Sequence, residues 1–256
     1  MATFKHSGTL GDLIYSLSVV KKLGGGEFQV ALNNLESTVA QYSRNPLVPE
    51  SVDPAHQGRF TVQDYEWLKP LLARQSYITS VATWDTGTPD YDLDQFRKVL
   101  FRTLEGNYVQ AYHMAFDLPF KMQDYDAAWL EADPIKTRPI VVSRTFRYRS
   151  PSPASDTQHQ QMAQDADLVN NGIFVGTRAE HADYVRVTGV DISYHLVNDF
   201  LELANIVAGA ELVVANQNFV YSLAMGLGRP AILETIKIKP LQMNECYFPR
   251  TNCQYF

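Results

Sequence analysis

The stretch from Asp199 to Glu234, DFLELANIVAGAELVVANQNFVYSLAMGLGRPAILE, decides the fold. Phe200, Leu203, Ala204, Val207 and Ala208 recur at helical spacing, Asp199 with Glu202 three residues on reads as a capping pair, and Gly209 is a natural stop. The valine-rich run Leu212 to Ala215 is too short for a helix and reads as a buried parallel strand. Asn216-Gln217-Asn218 follows it, then a helix from Phe219 to Leu227, then Gly228, Pro230 and a strand from Ala231 to Leu233. In open α/β sheets ligands bind beyond the carboxyl ends of strands, where helix N-termini offer N–H groups to anions. Asn216 to Asn218 hold that position.

Working outward, the second half repeats the pattern. Short strands are expected at Ile140 to Ser143, Ile173 to Gly176, Tyr194 to Val197, Glu211 to Ala215 and Ala231 to Glu234, a spacing that suits βα units. Between the first two, SPSPASDTQHQQMAQDADLVNN reads as a polar loop that turns helical near Gln160. Three strand ends carry polar groups: Ser143-Arg144, Gly176-Thr177-Arg178-Ala179-Glu180 and Asn216-Gln217-Asn218. On a parallel sheet they converge on one rim. Arg144 is suited to fork onto a diphosphate, Glu180 to accept both hydroxyls of a ribose, and the N–H groups around Asn218 to hold a phosphate. Arg147, Tyr148 and Arg149, within RTFRYR, add cations and an aromatic face. Taken singly, each of these residues is more often an ordinary surface group.

The first half opens with a strand at Thr3 to His6 and then SGTLGDLIYSLSVVKKLGGG, where Gly8 and Gly11 loosen a turn and Leu10, Ile14 and Leu17 mark a helix face. Asp12 falls at the start of that helix. An acid there is favoured by the helix dipole whatever its function, but beside a glycine-rich turn it can also accept a proton from a substrate. A second strand is expected at Phe28 to Leu32, a loop or acceptor-facing insertion over Glu36 to Arg59, a helix with a kink at Pro70 over Thr61 to Ser76, and a strand at Ile78 to Val81. The alternating acids Asp90, Asp92 and Asp94 resemble metal-binding aspartates, yet acids before a helix are common, and no metal site is assigned.

Composition bounds the rest. The 256 residues are 45% hydrophobic and 20% charged, enough for one large domain or two small ones. No run approaches the ~20 apolar residues of a membrane span, and MATFKHSG lacks the apolar core of a signal peptide, so a cytoplasmic protein is expected. Cys246 and Cys253 read as free thiols. The net charge of −6 lies wholly in residues 1–135, with 11 Lys+Arg against 17 Asp+Glu, while residues 136–256 hold 11 of each. That balance argues against a general nucleic-acid binder.

Two patches, GTLGDLIYSLSVVKKL near the start and FVGTRAEH through LANIVAGAELVVANQNFVYSLAMGLGRPAIL near the end, resemble the ADP-heptose:lipopolysaccharide heptosyltransferases and related GT-B glycosyltransferases. They cover about a third of the chain, in the family's order. The resemblance implies two Rossmann-like domains facing a cleft: residues 1–135 with the catalytic base and the acceptor surface, residues 136–235 binding a nucleotide sugar, and a tail, 236–256, returning toward the first domain. It implies that Asp12 is the base, that Gly8, Thr9 and Gly11 lie near acceptor and phosphate, and that Glu180 binds the nucleoside. Ser143, Arg144, Arg147, Gly176, Thr177, Asn216, Gln217, Asn218 and Tyr221 complete the donor side. The chain departs from the family where Asn216-Gln217-Asn218 replaces Asp-Thr-Gly and Tyr221 replaces a following His. Asn218 there would lean on asparagine's tolerance of left-handed backbone angles.

The expected activity is an inverting, metal-independent transfer from a UDP- or ADP-sugar, with no cofactor. The acceptor is a saccharide or small molecule, or a hydroxymethylated base in DNA, as in viral DNA-modifying enzymes, which RTFRYR would suit. The alternative from another class is a non-catalytic nucleotide or sugar binder of the same fold.

Overall fold

A computed structural model describes residues 1–32, 60–103, 107–149, 153–235, 237–238, 241–242 and 246–256, with side chains left out at 100–103, 147, 237–238 and 241–242. The loop expected over Glu36 to Arg59 lies outside the described residues.

Two parallel sheets organise the chain. The first has the order β3-β2-β1-β4, from β1 (Ala2–His6), β2 (Gly26–Ala31), β3 (Ile78–Trp84) and β4 (Tyr91–Asp92). Helix α1 (Leu10–Lys22) links β1 to β2, and α2 (Val62–Ala73) precedes β3 with Pro70 inside it. A short 3-10 turn, Leu93–Gln95, leads into α3 (Phe96–Thr103), and α4 (Tyr108–Ala115) follows.

The second sheet is built from β5 (Ile140–Ser143), β6 (Gly172–Val175), β7 (Ser193–His195), β8 (Leu212–Asn216), β9 (Ala231–Glu234) and β12 (Cys253–Tyr255). Its helices are α5 (Pro153–Asp165), α6 (Leu168–Asn171), α7 (Arg178–Thr188), α8 (Phe200–Gly209) and α9 (Phe219–Gly226). A small antiparallel pair, β10 (Lys237–Ile238) and β11 (Leu241–Gln242), stands apart. The order β7-β6-β5-β8-β9-β12 reads three-two-one-four-five-six in chain sequence, the doubly wound arrangement. Its reversal point lies between β5 and β8, whose registers pair Ser143 with Ala215. β5, β6 and β8 are buried along nearly their whole length, which is why they read as continuous apolar runs.

Helix α5 begins at Pro153, well before Gln160. The composition of SPSPASD suggests a loop, but proline is at home in the first helical position and Asp156 in the first turn suits the helix dipole.

The halves share one hydrophobic core, because α1 packs on α9 and α2 on α8. The indole N–H of Trp129 donates to the Ile14 carbonyl at 2.8 Å, and the N–H groups of Trp129 and Leu130 both donate to the Gly226 carbonyl at 3.0 Å. The tail completes this core. Phe248, fully buried, stacks on Tyr15 and Trp129, and the Arg250 guanidinium donates to the carbonyls of Tyr125 and Met225. Burying one such phenylalanine is worth about 1.5–3 kcal/mol. The chain then runs on as β12, parallel to β9 at the edge of the second sheet.

Candidate functional site

The first rim lies at the carboxyl end of β1. Thr9 caps α1, its hydroxyl accepting from the Asp12 N–H, which puts Asp12 in the first turn. Asp12 is 7% exposed, and its Oδ2 accepts from Arg97 Nη2 at 2.8 Å. Arg97 extends from the start of α3, with its guanidinium over the Phe96 ring at 4.8 Å. Burial opposes its charge, but Asp12 together with Tyr112, Asp94 and Tyr108 raises its pKa and keeps the guanidinium protonated. A Cβ on Gly8 would stand 2.0 Å from Arg97 Nη2 and 2.9 Å from His6 Cε1. Gly8 thus makes room for the arginine that reaches Asp12. Gly11 faces the second half, where its Cβ would meet Ser222 Oγ at 3.8 Å.

Beneath this turn is a buried polar floor. The Gly8 N–H donates to His6 Nδ1 at 3.0 Å, so that nitrogen carries no proton and Nε2–H is left to donate to the Tyr112 hydroxyl at 2.8 Å. Burial pushes the His6 pKa down to about 4, which keeps the ring neutral. Lys5 bridges Asp92 at 3.2 Å and Asp94 at 2.8 Å, Ser7 donates to Asp94, and Asp90 accepts from the N–H and hydroxyl of Thr3. The alternating aspartates therefore clamp β4 and the 93–95 turn onto β1. Burial would raise the Asp94 carboxyl, but the His6 ring, the Lys5 ammonium and the Ser7 hydroxyl hold it at about 2. Sequence reading missed Arg97, His6 and Tyr112 and named Asp94 only among the alternating acids. The β1–β4 register, with Lys5 opposite Asp92, sets Asp94 beside Lys5 and Ser7, and the packing of Tyr112 on Phe96 completes the floor.

The second rim lies at the reversal point of the larger sheet. Asn216 Oδ1 accepts from the Thr145 N–H at 3.0 Å while its Nδ2 donates to the Thr145 carbonyl at 2.8 Å. Asn218 caps α9, its Oδ1 accepting from the Tyr221 N–H, and its Nδ2 donates to the carbonyl and hydroxyl of Ser143 and to Asn216 Oδ1. The loops after β5 and β8 are thus stitched together by side-chain amides. Asn218 has φ −124° and ψ −178°, so its backbone is extended and the left-handed angle expected from the family's glycine is not used. Gln217 lies between the two, 6% exposed.

Arg144 and Tyr221 do not lie on the rim. Arg144 turns inward, forking through Nε and Nη2 onto Glu234 at 2.6 and 2.7 Å and reaching Asp156 through Nη1 at 2.7 Å. Glu234 is wholly buried at the end of β9 and takes the nearby cation as its counter-charge. Burial would raise its carboxyl, but the hydrogen bonds from Arg144 and His159 hold it at about 2. Tyr221 is fully buried, its hydroxyl donating to the Cys246 carbonyl at 2.9 Å, because its position on α9 faces the tail.

Glu180 stands in the first turn of α7, where Thr177 and Glu180 form a reciprocal capping box: Glu180 Oε2 accepts from the Thr177 N–H and hydroxyl. Burial raises its pKa. Gly176 has φ +146°, and a Cβ there would press on Glu180 Oε2 at 3.0 Å. Within RTFRYR, Arg144 is buried and Arg149 pairs with Asp183 at 2.6 Å. The Arg147 side chain lies outside the described residues.

Contacts between α1 and α9 advance together along both helices. Gly11 lies opposite Ser222, and Ile14 is joined through Trp129 to Gly226. The helices therefore run in the same direction, and both N-termini, one carrying Asp12 and the other Asn218, open on one side. A cavity of about 440 Å³ lined by Arg74, Glu131, Pro134 and Arg229 shares no residue with either rim. No helix among the described residues is long and apolar enough to cross a membrane.

The chain matches no model of a known protein family and no curated protein sequence. It does resemble solved structures. A glycosyl transferase family 9 protein from Veillonella parvula DSM 2008 aligns over 100% of this chain and 85% of its own, at 10% identity and TM-score 0.60. The E. coli ADP-heptose lps heptosyltransferase II aligns over 100% and 90%, at 12% identity and TM-score 0.54. With its two parallel α/β sheets and paired helix starts, the chain has the GT-B-like fold of these glycosyltransferases.

Proposed function

We propose that the protein moves a sugar from a nucleotide-sugar donor, a UDP- or ADP-sugar, to an acceptor hydroxyl, with inversion and without a metal. The observation that carries this reading is the parallel packing of α1 and α9, which brings Asp12 and the 216–218 turn to neighbouring helix starts. Asp12 Oδ1 takes the acceptor's proton as its oxygen bonds to the anomeric carbon. The bond from that carbon to the diphosphate breaks, and its electron pair leaves with the diphosphate. The first N–H groups of α9, which no helix carbonyl can satisfy, and the positive end of its dipole meet the departing charge, so the reading needs no cation there. Glu180 Oε1, opposite the oxygen used in the capping box, is available to a ribose hydroxyl, with Gly176 and Thr177 beside it. Ser143, Asn216, Gln217 and Asn218 shape the phosphate turn, while Arg144 and Tyr221 brace the strands and helix that carry it.

The acidic first half favours a saccharide or small molecule as acceptor. The inward course of Arg144 and the Arg149–Asp183 pair leave RTFRYR poorly suited to a DNA backbone, and salt-sensitive retention on DNA would reverse that preference.

One observation favours the second reading, a non-catalytic binder: the amide stitches between 143–145 and 216–218 already occupy polar groups at the reversal point. A thermal-shift panel of UDP-, ADP-, GDP- and CMP-sugars, followed by assays of donor hydrolysis and transfer, separates the two. Turnover that disappears in Asp12→Ala while donor binding persists supports the transferase. Binding with no turnover of any donor supports the binder.

A further inference from the structure

Five side chains form a closed circuit around the turn that carries Asp12. Asp12 Oδ2 accepts from Arg97 Nη2 at 2.8 Å. The Arg97 guanidinium lies over Phe96, and Phe96 stacks on Tyr112 with ring centroids 4.1 Å apart. Tyr112 accepts from His6, and His6 accepts from the Gly8 N–H, which returns the circuit to the turn. Phe96, Tyr112 and His6 are each 0% exposed, so the arrangement is built into the core of the first sheet. Arg97 passes through space that only a glycine at position 8 leaves open.

From this geometry we infer that Arg97 is a positioning residue for Asp12: it holds Oδ2 so that Oδ1, which has no partner among the described residues, is presented to the incoming hydroxyl. The inference rests on the transferase reading for what Oδ1 does, but the orientation of Asp12 is a property of the protein alone. A carboxylate free to rotate through its staggered positions would offer the wrong oxygen, or none, for much of the time. Misplacement of a reacting group by about 1 Å lowers turnover on the order of 100-fold. Lysine at position 97 would keep the charge but lose the planar guanidinium that lies over Phe96.

The test uses the full chain with Arg97→Gln, Arg97→Lys and Gly8→Ala. Donor hydrolysis is measured with whichever sugar of the UDP-, ADP-, GDP- and CMP-panel the wild type turns over. Arg97→Gln is expected to lower kcat about 100-fold with the donor KM unchanged, and Arg97→Lys to recover part of the loss. Gly8→Ala is expected to reproduce the kcat loss while Arg97 and Asp12 both remain in the sequence, since the new methyl displaces the guanidinium. Wild-type kcat in Arg97→Gln, or equal losses in Arg97→Gln and Arg97→Lys with KM rising alongside, would overturn the inference. A crystal structure of Arg97→Gln decides it without turnover. A changed or multiple Asp12 rotamer supports the role, and an Asp12 side chain superposing on that of the wild type sinks it. If the wild type neither hydrolyses nor transfers from any donor, the transferase reading fails and the crystallographic arm still judges Arg97.

Discussion

Arg144 and Glu234 meet as a two-pronged ion pair across the end of β8, the strand that lies between theirs, and both are almost wholly shielded from water. The pair closes the crest of the larger sheet, and Asp156 and His159 of α5 add to it from above. Removing one member leaves the other charged and buried. Glu234→Gln is therefore expected to destabilise the protein by about 3–5 kcal/mol, read as a lower urea midpoint at unchanged slope. A variant of wild-type stability would mean that water reaches Arg144.

Acid should unfold the protein in two stages. His6 titrates at about 4 when folded against a model value of 6.5, so the unfolded chain binds the extra proton first, and stability falls as pH drops from about 6.5 to 4. Glu234 and Asp94, both held at about 2 against model values of 4.5 and 3.8, contribute stability that is fully present above those values and lost as pH falls toward 2. Melting temperature followed from pH 8 to 3 should show both slopes. His6→Gln should flatten the upper one and, because the His6 ring also helps hold Asp94 down, make the lower one shallower, and a profile unchanged by that substitution would contradict the assignment.

Asn218 serves as helix cap and as stitch. Restoring the glycine found at the corresponding place in the family, Asn218→Gly, removes the bond to the Tyr221 N–H and those to Ser143 and Asn216. A stability loss of about 1–2 kcal/mol is expected, without tighter donor binding. Calorimetric titration with ADP- and UDP-sugars checks the second point, where a clear gain in affinity would show that the asparagine blocks the site.

Gly209 ends α8 directly beneath the segment joining the halves. A Cβ there would lie 2.1 Å from the Ile135 carbonyl oxygen and 2.6 Å from its carbon. The segment cannot simply lift away, since the Ile135 N–H donates to the Asn205 carbonyl and the Asp133 N–H to the Asn205 side chain. Gly209→Ala should cost about 1–3 kcal/mol, although alanine is the better helix former. Equilibrium denaturation showing a gain would disprove the contact.

Strands whose side chains are buried on both faces announce themselves, and β5, β8 and β9 stand within a residue of where their apolar runs place them. Capping is equally local, so Asp199 with Glu202 betrays its helix through its own side chain. What a side chain does at a strand end is not local. Arg144 has the composition of a phosphate ligand, and its inward turn depends on Glu234, set by sheet order rather than by spacing. Asp12 could be singled out from GTLGD, but Arg97 could not, because the two meet only through the pairing of β1 with β4. Tyr221 stands where a ligand-facing residue was expected, and its burial depends on a tail whose path no periodicity records.

The stacking of Tyr15 on Phe248, with centroids 5.8 Å apart, bears on how the molecule is made. The face of α1 that carries Tyr15 and Ile14 is finished by Trp129, α9 and finally residues 246–250. During synthesis from the N-terminus the opening sheet therefore waits, one flank uncovered, until residues 246–250 have left the ribosome. Nascent chains in which residues 246–250 have not emerged should remain protease-sensitive throughout the first sheet, and only chains in which they have emerged should become resistant, both sheets closing in a single event.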